Sequence, residues 1–403
     1  MKQKLVISKM QNRIMTFQFE EDTLVSINAS LAPEETYLNN IYVAKVKDVV
    51  KNIQAAFVEI QPGKKCYLPL SDIKEHIVEG AEILVQVIKD AVKTKEPTVT
   101  TKLSIAGKYM AISYPDYKIG YSNKLSSNEK KNLKTCFSKI LKEHVPTTGD
   151  FGYVIRTSAR ELLLPDMGEI SQDSKDILLN EMIHLTEEMQ SIISYGKNRA
   201  IYSVLYQAPP SYLQCINHLS SNNSLKLITD DTSIYQNMLH FTEQNAMQGE
   251  VILYDDKKLS IDKLYRLNTL LSEALSRKVW LKSGGYLIIE PTEALVVIDV
   301  NSGKYDGKKN FSDAILQVNM EAAYEIARQL RIRNMSGMIL VDFINMKEKE
   351  QELLLLQTLR NEVKKDALKT KVIDITPLGL VEITRKKVEP PLWEQIGKSH
   401  EIN

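Results

Sequence analysis

The sequence predicts a mixed α/β protein built from several subdomains, and three observations carry that prediction. Two apolar, β-branched runs at residues 294–303 and 337–346 each hold one aspartate and are joined by a helical segment. Five short strand-like runs follow one another between Asn40 and Thr101 with no helical period among them. The first 28 residues alternate as strands too few to close a core, so they require a partner later in the chain.

Composition sets the frame. The chain has 403 residues, 43% hydrophobic and 26% charged, with a net charge of +1, which is ordinary for globular domains. No apolar run reaches membrane-spanning length, and the run after Met1-Lys2-Gln3-Lys4 is too short for a secretory signal. Cys66, Cys136 and Cys215 are far apart and lack metal-ligand spacing, so a cytoplasmic location is expected. Affinity for a polyanion must come from local patches.

Taken in order, residues 5–7 and 13–17 read as the N-terminal strands. Residues 41–46, 55–60, 66–70, 83–87 and 98–101, with the turn Gln61-Pro62-Gly63-Lys64, fit a small five-stranded barrel of the OB type. Such barrels hold single strands on exposed aromatics beside basic residues. Phe57 and Tyr67 are the candidates, with Lys89, Lys93, Lys95 and Lys102 nearby; both rings belonging to the core is the alternative.

Residues 118–142 carry seven lysines against one acid, Glu129, which makes a cationic surface or a solvated helix face. Residues 151–158 then form a strand that delivers Arg156, Thr157 and Ser158 to a loop. Guanidinium plus hydroxyls can hold a phosphate, and an internal ion pair explains Arg156 equally well. Residues 170–205 read as acidic and helical, and Pro209-Pro210 begins a new α/β passage with strands at 225–228 and 251–253. That passage is the expected partner of the N-terminal strands, leaving residues 40–200 as an insertion.

The two aspartate-bearing runs are the chemical centre. Ala314, Ile315, Val318, Ala322, Ile326 and Leu330 recur at helical spacing between them, with Asn310 as N-cap and residues 334–337 as the stop. Strand, long helix, strand is the grammar of a crossover unit with the strands side by side; if they are parallel neighbours, Asp299 and Asp342 emerge near one sheet edge. Carboxylates so placed repel unless a cation lies between them or one stays protonated, and a hard ion, Mg²⁺ or Mn²⁺, suits that donor set. The alternative makes each aspartate a strand-end turn cap. A charged helix follows at about 347–365, then a strand at 371–375 and the cluster Thr384-Arg385-Lys386-Lys387; Pro390-Pro391 starts a tail. Gly397-Lys398-Ser399 lacks the upstream glycine of a phosphate-binding loop. Gly-x-Ser-x-Gly, His-Glu-x-x-His and Cys-x-x-Cys are all absent.

These pieces together resemble the ribonuclease E/G family over nearly the whole chain. The most specific matches are Thr292-Glu293-Ala294-Leu295, Ile298-Asp299-Val300-Asn301-Ser302, Asn319-Met320-Glu321-Ala322-Ala323, Val341-Asp342-Phe343-Ile344 and Gly379-Leu380-Val381-Glu382-Ile383-Thr384-Arg385. Further matches include Asn40-Ile41-Tyr42, Tyr67-Leu68-Pro69-Leu70 and Val154-Ile155-Arg156-Thr157. The resemblance implies an RNase H-like subdomain in two parts (1–38 and 200–275), an inserted OB-fold RNA-binding domain (39–106) and a 5′-end sensor (107–199). A DNase I-like catalytic subdomain (276–395) and a tail (396–403) follow.

It further implies that Asp299 and Asp342 hold Mg²⁺, with Mn²⁺ as a substitute, and that Asn301 orients Asp299. Arg156, Thr157 and Lys369 would grip a 5′-monophosphate, and Phe57, Tyr67 and Lys102 would contact RNA. No cysteine follows Arg385 before the end at Asn403, where the family's zinc link is expected. No zinc and no zinc-linked tetramer are therefore expected; a monomer or weak dimer is. The functional expectation is a Mg²⁺-dependent endoribonuclease cutting single-stranded RNA to 5′-phosphate and 3′-hydroxyl products. The alternatives are an inactive RNA-binding adaptor and a structure-specific DNA nuclease.

Overall fold

A computed structural model describes residues 2–10, 12–31, 36–71, 73, 77–91, 96–143, 150–163, 170–216, 219, 225–244, 247–303 and 311–397. The chain forms two compact units: Pro33–Pro210, and Met1–Ala32 with Ser211–Asn403. Asn310, Lys93 and Lys95 lie outside the described residues.

The unit Pro33–Pro210 begins with the barrel. Its strands are Ile41–Val50, Ala55–Gln61, Lys64–Pro69, Glu82–Lys89 and Thr98–Thr100. Alternation turns Ala44, Val46, Val58, Leu68, Val85 and Val99 into a buried core. Ile41–Val50 pairs with both Ala55–Gln61 and Glu82–Lys89, which closes the sheet. Lys64–Pro69 meets Thr98–Thr100 in parallel through Tyr67 and Thr98. The result is a closed five-stranded barrel of the expected OB-like kind. Gly63, at φ +79°, supplies the left-handed turn residue after Pro62.

A four-stranded sheet follows in the order Ile119–Tyr121, Gly152–Ile155, Met110–Tyr114, Leu103–Ala106. The lysine-rich stretch forms the helix Ser127–Glu143, with Leu133, Phe137 and Ile140 buried on one face and Lys131, Lys134 and Lys139 exposed. Ser126 and Glu129 cap it reciprocally through each other's backbone N–H at 2.6 and 3.3 Å. The helix Gln172–Gly196, capped by Ser171, completes this core through Leu178, Met182, Leu185 and Met189.

In the other unit, the N-terminal strands Gln3–Met10, Arg13–Glu20 and Thr23–Ser30 form a meander. They find their partner as required: Gln3–Met10 lies parallel to Leu225–Thr229, which lies parallel to Glu250–Leu253.

The second sheet of this unit has the order Lys278–Trp280, Tyr286–Pro291, Leu295–Asn301, Gly337–Asp342, Val381–Arg385, Thr370–Ile375. The helix Phe311–Ile332 crosses between the two parallel central strands. It packs with the helix Lys349–Val363 on one face, where Ile298, Val300, Ile339, Val341, Ile326 and Leu359 are buried. The crossover helix ends where Asn334 turns left-handed and the Met335 N–H returns to the Leu330 carbonyl at 3.1 Å. Val381–Arg385 is a full strand inserted antiparallel beside Gly337–Asp342.

One expectation is corrected. The chain does not run free from Pro390: Leu392–Gln395 is a short helix with Leu392 and Trp393 buried, and the Leu392 N–H bonds the Arg333 carbonyl at 2.9 Å. Burial of these two large apolar side chains offsets the cost of ordering the short segment.

Candidate active site and nucleic-acid interface

The parallel pairing sets Leu295 opposite Met338 and runs in register to Asp299 opposite Asp342. Alternation sends Val296, Ile298 and Val300 into the core and Val297 and Asp299 to the opposite face. Asp342 follows the same rule beside buried Val341, so both carboxylates leave one face of the sheet, exposed and one strand apart. Neighbouring strands lie about 4.8 Å apart, within the span a single hard cation bridges with water completing its shell. The Asn301 amide donates to Asp299 Oδ2 at 2.6 Å, which fixes one oxygen of that exposed carboxylate. The expected carboxylate pair and its orienting asparagine are thus together.

Two supports were not read from the sequence. Asn319 is fully buried on the crossover helix; its amide donates to the Ile344 carbonyl at 2.7 Å and accepts from the Ile344 N–H at 3.1 Å. That clamp fixes the chain just beyond Asp342. Its signal was a lone amide beside Val318 on an apolar helical face. Arg385 pairs with Asp366 at 2.6 Å, both side chains nearly buried, and donates to Asn334 Oδ1 at 2.8 Å and to the Met335 carbonyl at 3.1 Å. It secures the turn that launches the Asp342 strand.

On the barrel, Phe57 and Tyr67 are cross-strand partners with ring centroids 6.1 Å apart at 70°. Both are half-buried, on the face opposite the buried Val58, Cys66 and Leu68. Thr98 pairs with Tyr67, and exposed Lys102 follows that strand. On the same barrel Glu59 accepts from the Tyr202 hydroxyl at 2.6 Å and pairs with Lys47 at 2.9 Å, a grouping that no local pattern announced.

Arg156 ends the strand Gly152–Ile155, and its backbone N–H bonds the Tyr109 carbonyl at 2.8 Å. Its guanidinium donates to the Gly107 carbonyl. Burial pulls the Arg156 pKa down, and the nearby Glu181 carboxylate pushes it back up. Burial also raises Glu181 to about 7, against the N–H groups of Tyr109 and Lys108 that hydrogen-bond it. The Thr157 hydroxyl shares a hydrogen bond with Ser122 at 2.8 Å. Lys369 belongs to the other unit, where it lines a depression of about 360 Å³ with Lys371, Thr384 and Lys386.

The family model described as "Ribonuclease E/G family" matches residues 104–388. The chain belongs to the ribonuclease E/G family. Ribonuclease G of Salmonella typhimurium (strain SL1344) is 31% identical over 373 residues, covering 87% of this chain and 73% of that protein. Ribonuclease G of Haemophilus influenzae is 28% identical over 412 residues, covering 96% and 80%. Ribonuclease E of a Synechocystis strain is 28% identical over 397 residues, covering 94% and 56%. The matched ribonuclease E/G region contains both aspartates, Asn301, Asn319 and the Arg385 pair, while Phe57 and Tyr67 precede it. Among the described residues, no helix is long and apolar enough to cross a membrane.

Proposed function

We propose that this endoribonuclease of the ribonuclease E/G family cuts single-stranded RNA with a divalent cation, Mg²⁺ or Mn²⁺, held by Asp299 and Asp342. The observation that carries the reading is their register: two exposed carboxylates are partners on adjacent parallel strands whose alternate residues are apolar and buried. Their oxygen donors and open surroundings suit a hard ion that keeps several waters. When bound, such an ion activates water and neutralises charge on the phosphate under attack. Asn301 holds the Asp299 carboxylate in one orientation, and Asn319 holds the strand end that carries Asp342. The products are assigned a 5′-phosphate and a 3′-hydroxyl.

The half-exposed pair Phe57 and Tyr67, with Lys102, is read as a stacking face for the RNA. Arg156 and Thr157 are read as the grip on a 5′-monophosphate. The Gly107 carbonyl orients the guanidinium fork, and Thr157 adds a hydroxyl beside it. The sheet built on Gln3–Met10 and Leu225–Thr229 and the sheet that carries Asp299 and Asp342 are read as the RNase H-like and DNase I-like subdomains.

Labelled RNA and DNA oligonucleotides of one sequence test the assignment in Mg²⁺, with end-group analysis of the products. RNA alone should be cut. Tight RNA binding without turnover in Mg²⁺ or Mn²⁺ would replace this reading with an RNA-binding adaptor, and equal cutting of DNA with a less selective nuclease.

A further inference from the structure

The sheet that carries the carboxylates also carries an aromatic platform beside them. Tyr286 pairs with Asn301 across one strand boundary, and Trp280 pairs with Tyr286 across the next. Asn301, Tyr286 and Trp280 therefore form one row across the sheet. Asp342, Asp299, Ile288 and Lys278 form the neighbouring row, two residues along each strand. Residues two apart on a strand share a face, so the rings stand on the same side as the carboxylates. Core residues Leu287 and Ile289 point the other way.

The cluster is built for contact. Trp280 is 65% exposed, unusual for the largest apolar side chain. Its ring meets Tyr286 edge-on, with centroids 5.4 Å apart at 63°. Lys278 Nζ sits 3.8 Å from both ring centroids. Cation–π contacts at exposed sites are weak and do not by themselves account for leaving an indole in water. Aromatic faces with an attached cation are what a stacked base and its phosphate require.

We infer that Trp280, Tyr286 and Lys278 form a stacking subsite for a nucleobase flanking the scissile phosphate. The inference rests on the reading of Asp299 and Asp342 as the cleavage site. At about 4.8 Å per strand, Trp280 stands roughly 10 Å from the strand bearing Asp299. That reach suits a nucleotide next to the one under attack. Every base has a π-face, so the subsite favours unpaired RNA over a particular sequence.

The chain holds two tryptophans, and Trp393 is buried, so RNA-dependent changes in emission report Trp280. The wild-type chain is titrated with a single-stranded RNA oligonucleotide in EDTA, so that the RNA stays whole, with anisotropy of the labelled RNA read in parallel. Emission should fall as RNA binds, and Trp280→Phe should remove the change. In Mg²⁺, Trp280→Ala should lower kcat/KM roughly 10- to 100-fold, with Trp280→Phe restoring most of it. An abasic nucleotide at one flanking position should cost the wild type a similar factor and cost Trp280→Ala almost nothing. RNA binding with unchanged Trp280 emission overturns the subsite. So does an emission change that follows protein concentration without RNA, which marks contact with a second copy. If the wild type cuts no RNA, the cleavage reading fails, while the emission experiment still decides the stacking site.

Discussion

Asp299 and Asp342 are register partners on adjacent parallel strands, and both carboxylates leave the sheet face opposite the buried core of Ile298, Val300 and Val341. Two like charges held one strand apart favour any cation that sits between them. Mg²⁺ should therefore raise the melting temperature of the wild-type chain. The gain approaches about 2.7 kcal/mol at a hundredfold excess over Kd. Asp299→Asn and Asp342→Asn should lose that rise and melt no lower than wild type in EDTA. Calorimetry with and without Mg²⁺ checks this independently of activity; a metal-dependent shift that survives in both variants would contradict it.

Asn319 is a positioning residue. Replacing it by alanine leaves the Ile344 N–H and carbonyl without their buried partner, at a cost of about 1–3 kcal/mol. Because the clamp lies two residues beyond Asp342, kcat should fall about 10- to 100-fold while RNA affinity holds. Urea unfolding and single-turnover cleavage measure the two effects. Loss of stability with an unchanged rate would make Asn319 purely structural.

Arg156→Gln separates two roles. A charge-assisted hydrogen bond to phosphate is worth about 1.5–3 kcal/mol, or roughly 10- to 100-fold in kcat/KM on 5′-monophosphorylated RNA. On 5′-hydroxyl RNA the variant should match wild type. Equal losses on both substrates, with a lower melting temperature, would assign Arg156 to internal packing against Gly107 and Glu181.

Glu181 gives a pH dependence of known sign. Burial raises its folded pKa to about 7 from an ordinary 4.5, so the folded unit binds more protons between those values. Its contribution is fully present below about pH 4.5 and is lost as pH rises through about 7. The span corresponds to about 3 kcal/mol as an upper bound, at 1.36 kcal/mol per pH unit. Glu181→Gln should flatten this part of the stability profile, measured by chemical denaturation at pH 5 and pH 8.

Much of this was legible because local patterns carried it. Alternation marked the barrel strands, helical spacing marked Phe311–Ile332, and single carboxylates in apolar runs marked Asp299 and Asp342. The hidden parts depend on distant pairing. Val381–Arg385 lies between Gly337–Asp342 and Thr370–Ile375 only because the chain doubles back, which no periodicity encodes. Trp280 and Tyr286 reach the carboxylate face through the register of three strands. Leu392 and Trp393 follow two prolines in a segment too short to show a period, yet they fill the core.

The most direct test of the central claim is single-turnover cleavage of a labelled single-stranded RNA across a Mg²⁺ titration, comparing wild type with Asp299→Asn and Asp342→Asn. The account predicts that each substitution lowers the Mg²⁺-dependent rate by about 10²- to 10⁴-fold while RNA binding by anisotropy is nearly unchanged. Cleavage by either variant at close to the wild-type rate would contradict it.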